Sequence, residues 1–196
     1  MNSSDSIIID MDEQAIAGAS LGPPLRPSVR FMLSHPAHLI ALGFGSGLSP
    51  FAPGTAGTLW AWVAFLAMQS YGMSDGGWAL LIAASIPIGW WASSVTARHL
   101  RVLDPGCIVW DEVVAFWIVL WLVMPAGFWA QLIAFALFRY FDAAKPGPVG
   151  WADQLFHGMN ATSAPQAWKK AGFGIMLDDL VAAGCALVVI AIWRFM

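Results

Sequence analysis

The residues best suited to chemistry in this chain are acids set in apolar surroundings. Asp178 and Asp179 close the stretch "FGIMLDD" and stand directly before "LVAAGCALVVIAIW". Asp111 and Glu112 form a second adjacent pair in "DPGCIVWDE", and Asp142 lies in "FRYFDAAKPGP". Carboxylates in such company are costly and mark functional sites. All five are candidate catalytic residues, with Asp104 nearby. Hard oxygen donors of this kind suit Mg²⁺, which binds through one or two carboxylates plus phosphate oxygens and water. The expected metal ligands are Asp111, Glu112, Asp142 and Asp179. Adjacent residues on a helix point about 100° apart, so the two members of a pair need not touch the same ion.

Cations and hydroxyls accompany the acids. Arg139 precedes Asp142 by one helical turn and shares its face. Lys145 stands before Pro146, which biases it away from helical geometry. Both fit recognition of a phosphate group. The stretch "GFGSGLSPFAPGTAGT" (43–58) adds Ser46, Ser49 and Thr55 as candidate phosphate-binding residues. Its glycines let backbone amides approach an anion, and it runs into a helix N-terminus that favours negative charge. It matches neither a P-loop nor a dinucleotide fingerprint, and alone it also reads as a re-entrant turn. His35, His38, His99 and His157 look scattered, so no zinc site is expected. Cys107 and Cys185 read as small buried residues, too few for a disulfide framework.

These residues need a scaffold, and composition says which kind. The chain is 59% hydrophobic and 11% charged, against roughly 25% charged in a soluble domain. Twelve tryptophans, mostly near the ends of apolar runs, add an interfacial signature. Five apolar segments, about 56–71, 78–97, 107–124, 128–141 and 180–195, predict an all-α, polytopic membrane bundle. Several fall short of the roughly 20 residues that a span needs and must extend into the flanking motifs. One face collects Arg26, Arg30, Arg98, Arg101, Arg139, Lys145, Lys169 and Lys170, whereas "GMSDGG" and "PAG" on the other carry no Lys or Arg. Arg194 is the exception and can snorkel. The basic face is therefore expected to be cytoplasmic, with the N-terminus inside and every acidic motif on that side. Residues 1–35 lack a signal-peptide pattern and read as a polar, disordered extension, with 36–196 as the membrane domain. No basic tract points to nucleic acid.

A metal, a phosphate site and a membrane face together imply hydrolysis at a lipid headgroup, by activated water or by a carboxylate nucleophile. At this level the motifs are recognisable. "GFGSGLSPFAPGTAGT", "IVWDE", "FRYFDAAKPGP" and "GFGIMLDDLVAAG", in order over about residues 40–195, resemble the phosphatidylglycerophosphatase A family. The resemblance implies a Mg²⁺-dependent phosphatase of the bacterial inner membrane that converts phosphatidylglycerophosphate into phosphatidylglycerol. It also implies that Asp111, Glu112, Asp142, Lys145, Asp178 and Asp179 belong to the active region, with Arg139 beside them.

Two departures from the family pattern stand out. The extension 1–35 is one. The other is "MNATSAPQAWKK" after His157, with Ala171 where glycine is common; an inserted surface loop over 159–171 is expected, and it clouds any role for His157. Rival readings fit less well. "SIIIDMDEQ" resembles the opening of haloacid-dehalogenase phosphatases, but Gln14 stands where Thr or Val is usual. The runs needed for CDP-alcohol phosphotransferases, histidine-nucleophile lipid phosphatases and cysteine phosphatases are absent from the sequence. A small transporter is the non-enzyme alternative, yet transporters place ionisable groups near the midplane.

Overall fold

Prolines, glycines and polar caps divide the chain into helices. The structure is a computed structural model that describes residue 25 and residues 27–155 and 165–195, and these contain no strand. Two short helices come first. α1 (Val29–Leu33) is capped by the Ser28 hydroxyl, and α2 (Pro36–Ala41) by the His35 ring. The end of the extension expected over 1–35 is thus helical; its residues 1–24 and 26 lie outside the described residues. A 3-10 segment, Gly43–Leu48, leads to α3 (Pro53–Ser70). Pro53 opens that helix, where a missing N–H costs nothing. α4 (Asp75–Leu100) starts at Ser74, which accepts from Gly77 N, and ends where Arg101 turns left-handed. α5 (Trp110–Val123), α6 (Phe128–Ala144), α7 (Pro148–Gln154) and α8 (Pro165–Phe195) complete the order.

All five apolar segments are helices, but of unequal length. At 1.5 Å per residue, α4 and α8 measure about 39 and 46 Å, and α5 only about 21 Å. Among the described helices, α4 and α8 are the two long and apolar enough to cross a membrane. The span expected over 180–195 is the second half of α8, whose first half is masked in hydropathy by Lys169, Lys170, Asp178 and Asp179. Residues 165–171, expected within a surface loop, are therefore helical, and Trp168 and Ala171 are buried. Gly172 explains how. A Cβ there would meet Ser94 Oγ at 2.2 Å, so α8 and α4 touch almost backbone to backbone, and the neighbouring turns of α8 are pulled into the bundle. Residues 159–164 lie outside the described residues.

Beyond its first turn α5 is apolar all round, and such a helix belongs at the centre of a bundle. Val113, Val114, Phe116, Val119 and Leu120 are fully buried, with α3, α4, α6 and α8 packed around them. Losing one such side chain is expensive; Phe116→Ala would cost about 3–5 kcal/mol. Indole N–H groups in this core find acceptors, as burial requires. Trp62 Nε1 donates to Gln131 Oε1 at 2.7 Å, and Trp117 Nε1 to the Ala61 carbonyl at 2.9 Å. The outer faces of α3, α4, α6 and α8 expose Val63, Leu80, Trp129, Ile192 and Trp193. An apolar belt of this kind fits a membrane-associated protein.

Candidate active site

Three helices bring acids from distant parts of the chain to one place. α5 carries Asp111 and Glu112 in its first turn, α6 carries Asp142 in its last, and α8 carries Asp178 and Asp179 near its middle. The last two were read as opening a span; instead Pro165 starts their helix more than three turns earlier. The N-terminus of their own helix is therefore too far away to offset their charge.

Within each adjacent pair the carboxylates diverge. Oxygens of Glu112, Asp142 and Asp179 lie within 4.8 Å of one another. At that separation two carboxylates repel by roughly 3 kcal/mol, taking an effective dielectric near 20. Asp178 turns instead to Lys145 Nζ, 2.8 Å away. Asp111 stands outside the triangle but is itself buried. Asp111 Oδ1, Glu112 Oε2 and Asp179 Oδ2 are all buried without a hydrogen-bond partner among the described residues. Asp104, near Asp178, is exposed.

Two cations answer these acids. Arg139 Nη1 donates to Glu112 Oε1 at 2.9 Å and to Asp142 on its own helix, and it lies 3.4 Å from the Thr58 hydroxyl. Lys145 leaves helical geometry before Pro146, in the left-handed region at φ 45°. Its ammonium bridges Asp153 and Asp178. Burial works against that charge, but the two carboxylates outweigh it and hold Lys145 above its ordinary value. Six carboxyl groups thus share two cations. Three of the six are buried and three half-buried, and such a surplus of negative charge away from water is disfavoured without further positive charge.

The glycine-rich stretch comes close to one of the acids. A Cβ at Gly54 would stand 1.9 Å from Glu112 Oε1, and one at Gly57 3.0 Å from Glu112 Oε2. The glycines make room for the Glu112 carboxylate against α3. None of the expected phosphate ligands from this stretch hydrogen-bonds an acid or cation of the site among the described residues. Ser46 donates to the Gly43 carbonyl, Ser49 to the Phe51 carbonyl, and Thr55 is half-buried with no hydrogen bond among the described residues. Thr58 and Asp153 join the site unforeseen. Thr58 sits one turn after Gly54 and was legible from that spacing; nothing in the sequence pointed to Asp153, carried by the short helix α7.

Three of the histidines, His35, His38 and His99, are not scattered. His38 Nε2 lies 2.8 Å from His99 Nδ1, and the His35 ring 5.3 Å from that of His38. A separation of 61 residues hid this contact. The acidic triangle is nevertheless the one metal-sized group among the described residues. His157 lies outside them.

A family model described as Phosphatidylglycerophosphatase A matches residues 39–194, a range that includes all the acids above and both cations. The chain belongs to the phosphatidylglycerophosphatase A family. It is 40% identical over 159 residues to phosphatidylglycerophosphatase A of Escherichia coli, covering 78% of this chain and 80% of that protein. Phosphatidylglycerophosphatase A of Haemophilus influenzae is 36% identical over 165 residues, covering 84% and 92%. A Bacteroides thetaiotaomicron protein, provisionally named a phosphatidylinositol-3-phosphatase, is 36% identical over 163 residues, covering 80% and 92%. No solved structure matches the chain. Membership of the phosphatidylglycerophosphatase A family makes the chain a phosphatase acting on a lipid phosphate. Its acids fit a divalent cation: a triangle of hard oxygens, with buried carboxylate oxygens beside it that have no protein partner.

Proposed function

We propose that this protein is a Mg²⁺-dependent phosphatidylglycerophosphatase. It hydrolyses the terminal phosphate monoester of phosphatidylglycerophosphate, giving phosphatidylglycerol and inorganic phosphate in bacterial phospholipid synthesis. The observation that carries this reading is the acidic triangle, two of its three members buried and the third half-buried, flanked by Arg139 and Lys145 in a chain of this family. Glu112, Asp142 and Asp179 would hold Mg²⁺, with Asp111 alongside. When bound, the ion supplies positive charge that polarises the phosphoryl group.

The chain's own residues do the rest. Arg139, fixed between Glu112 and Asp142, presents a planar donor fork to phosphate oxygens without reorganising. Lys145 adds a point charge, and Asp178 and Asp153 set its position. Hydrolysis breaks the bond between phosphorus and the terminal glycerol oxygen. That oxygen leaves with a proton, and the attacking oxygen comes from water directly or by way of a carboxylate. The net reaction consumes one water.

We place the protein in the bacterial inner membrane with its five apolar helices as spans, its N-terminus inside, and its site facing the cytoplasm. The one-sided distribution of Lys and Arg supports this. The site is recessed from the end of α4, because Trp110 at the start of α5 donates to the Ser85 carbonyl near the middle of α4. A test is phosphate release by the purified protein from phosphatidylglycerophosphate and from phosphatidylinositol 3-phosphate, with Asp111→Asn and Asp179→Asn alongside. Release from the first lipid, lost in both variants while they still insert, is expected. Release from the second lipid alone would sink the headgroup assignment, and full activity in both variants would sink the site.

A further inference from the structure

Away from the acids, the basic residues gather around two adjoining cavities at the end of α4. The larger, about 540 Å³, is lined by Phe31, His38, Arg98, His99, Arg101 and Trp168, with no carboxylate in its wall among the described residues. The smaller, about 320 Å³, is walled by Trp90, Trp91, Val95 and Trp168, with Arg98 and Lys169 as its cations. Arg98 and Trp168 belong to both. Arg98, Arg101 and Lys169 are exposed and form no ion pair with a described residue. The chain carries only nine Lys and Arg at a net charge of −3, so three unpaired cations at one place are a concentration. Arg139 and Lys145, by contrast, are each held between two acids.

The histidines between them are oriented. The Phe31 carbonyl can only accept, so His38 Nδ1, 2.9 Å away, carries the proton. His38 Nε2 then accepts from His99 Nδ1 at 2.8 Å, which leaves His99 Nε2 without a described partner. With its proton on Nδ1, His99 presents only an acceptor at Nε2, so the anion-binding groups of one cavity are its arginines, and the next cavity offers indole walls. Trp90 and Trp91 are half-exposed, at 42% and 45%, and open the second cavity to the outside of the bundle. Tryptophan and basic side chains side by side are the furniture of a bilayer interface.

We propose that the two cavities form one binding site for an anionic phospholipid, separate from the acidic site. Arg98 and Arg101 take the phosphodiester of the headgroup, Lys169 stands at the rim, and an acyl chain lies along Trp90, Trp91 and Trp168. The two sites share no residue, and Trp168 precedes Asp179 on α8 by about 16 Å of helix. The charge also separates them. The acidic triangle repels an anion unless a cation is present, whereas this site attracts one with no metal at all.

Native mass spectrometry of the full protein in neutral detergent with EDTA tests this, with phosphatidylglycerol and phosphatidylcholine as competing probes. One phosphatidylglycerol should bind in preference to phosphatidylcholine. The variant Arg98→Gln/Arg101→Gln should weaken that binding about tenfold or more. Asp179→Asn should leave it unchanged, and inorganic phosphate should not displace the lipid. Equal binding of the two lipids, or an unaffected double variant, would overturn the proposal. Loss of binding in Asp179→Asn would put the lipid in the acidic site, and displacement by inorganic phosphate would mean a free-ion site; either result also overturns it. Should the double variant lose its helical signal, Lys169→Gln, an exposed single change, is read in its place: weaker phosphatidylglycerol binding supports the site and unchanged binding refutes it.

Discussion

Alanine at Gly54 would change no charge in the protein, yet it should remove most of the activity. Its Cβ would stand 1.9 Å from Glu112 Oε1, 2.9 Å from Glu112 Cδ and 3.1 Å from Arg139 Nη2. To reach an ordinary contact of 3.4 Å, the carboxylate must retreat by about 1.5 Å. It has no free direction, since it is buried and tied to Arg139 at 2.9 Å. The retreat would open the triangle with Asp142 and Asp179. A misplacement near 1 Å can cost on the order of 100-fold in rate, or about 2.7 kcal/mol of barrier. Stability should fall less. Overpacking costs about 1–3 kcal/mol, and alanine returns up to about 1 kcal/mol in helix propensity.

The assay is phosphate release from phosphatidylglycerophosphate in Mg²⁺, with thermal melts of the same samples. Combining Gly54→Ala with Glu112→Asp, which withdraws the carboxylate by one methylene, about 1.5 Å, should recover part of the loss. Gly76→Ala, where a Cβ meets open space, should keep full activity. Wild-type kcat/KM in Gly54→Ala would refute the reasoning, because it would mean that Glu112 need not stand where it does.

Two further predictions concern charge. Asp179→Asn relieves repulsion in the triangle, so without metal it should raise thermal stability, on the order of 1 kcal/mol, while blunting the stabilisation that Mg²⁺ gives the wild type; an unchanged Mg²⁺ response would contradict the site. Lys145 is held above its ordinary value, so the stability from its charge is fully present below about pH 10.4 and is lost as pH rises through the higher folded value. The gap in melting temperature between wild type and Lys145→Met should accordingly stay flat from about pH 7 to about pH 9, and a gap that closes within that range would show that the Asp153 and Asp178 contacts do not hold the proton.

The apolar runs were enough to locate helices, because burial or lipid exposure demands apolar side chains whatever the partner. They were not enough to make each a span, since α4 and α8 are the two long and apolar enough among the described helices. They misjudged α8, since Lys169, Lys170, Asp178 and Asp179 interrupt its hydropathy while leaving its helical backbone intact. The acids and both cations could be read from residue type and apolar setting. What each touches could not. The divergence of Asp178 towards Lys145, the reach of Asp153 from α7, and the meeting of His38 with His99 all depend on packing between remote segments. The glycines of 43–58 were visible as a place for close approach. That the Glu112 side chain is among the groups they approach became clear only once α3 and α5 were side by side.

The most direct test of the central claim is phosphate release from phosphatidylglycerophosphate by the purified protein, measured in Mg²⁺, after EDTA, and after Mg²⁺ is restored. Release that stops with the chelator and resumes with the ion is the predicted result. Release that continues unchanged in EDTA, or none under any divalent ion, would contradict it.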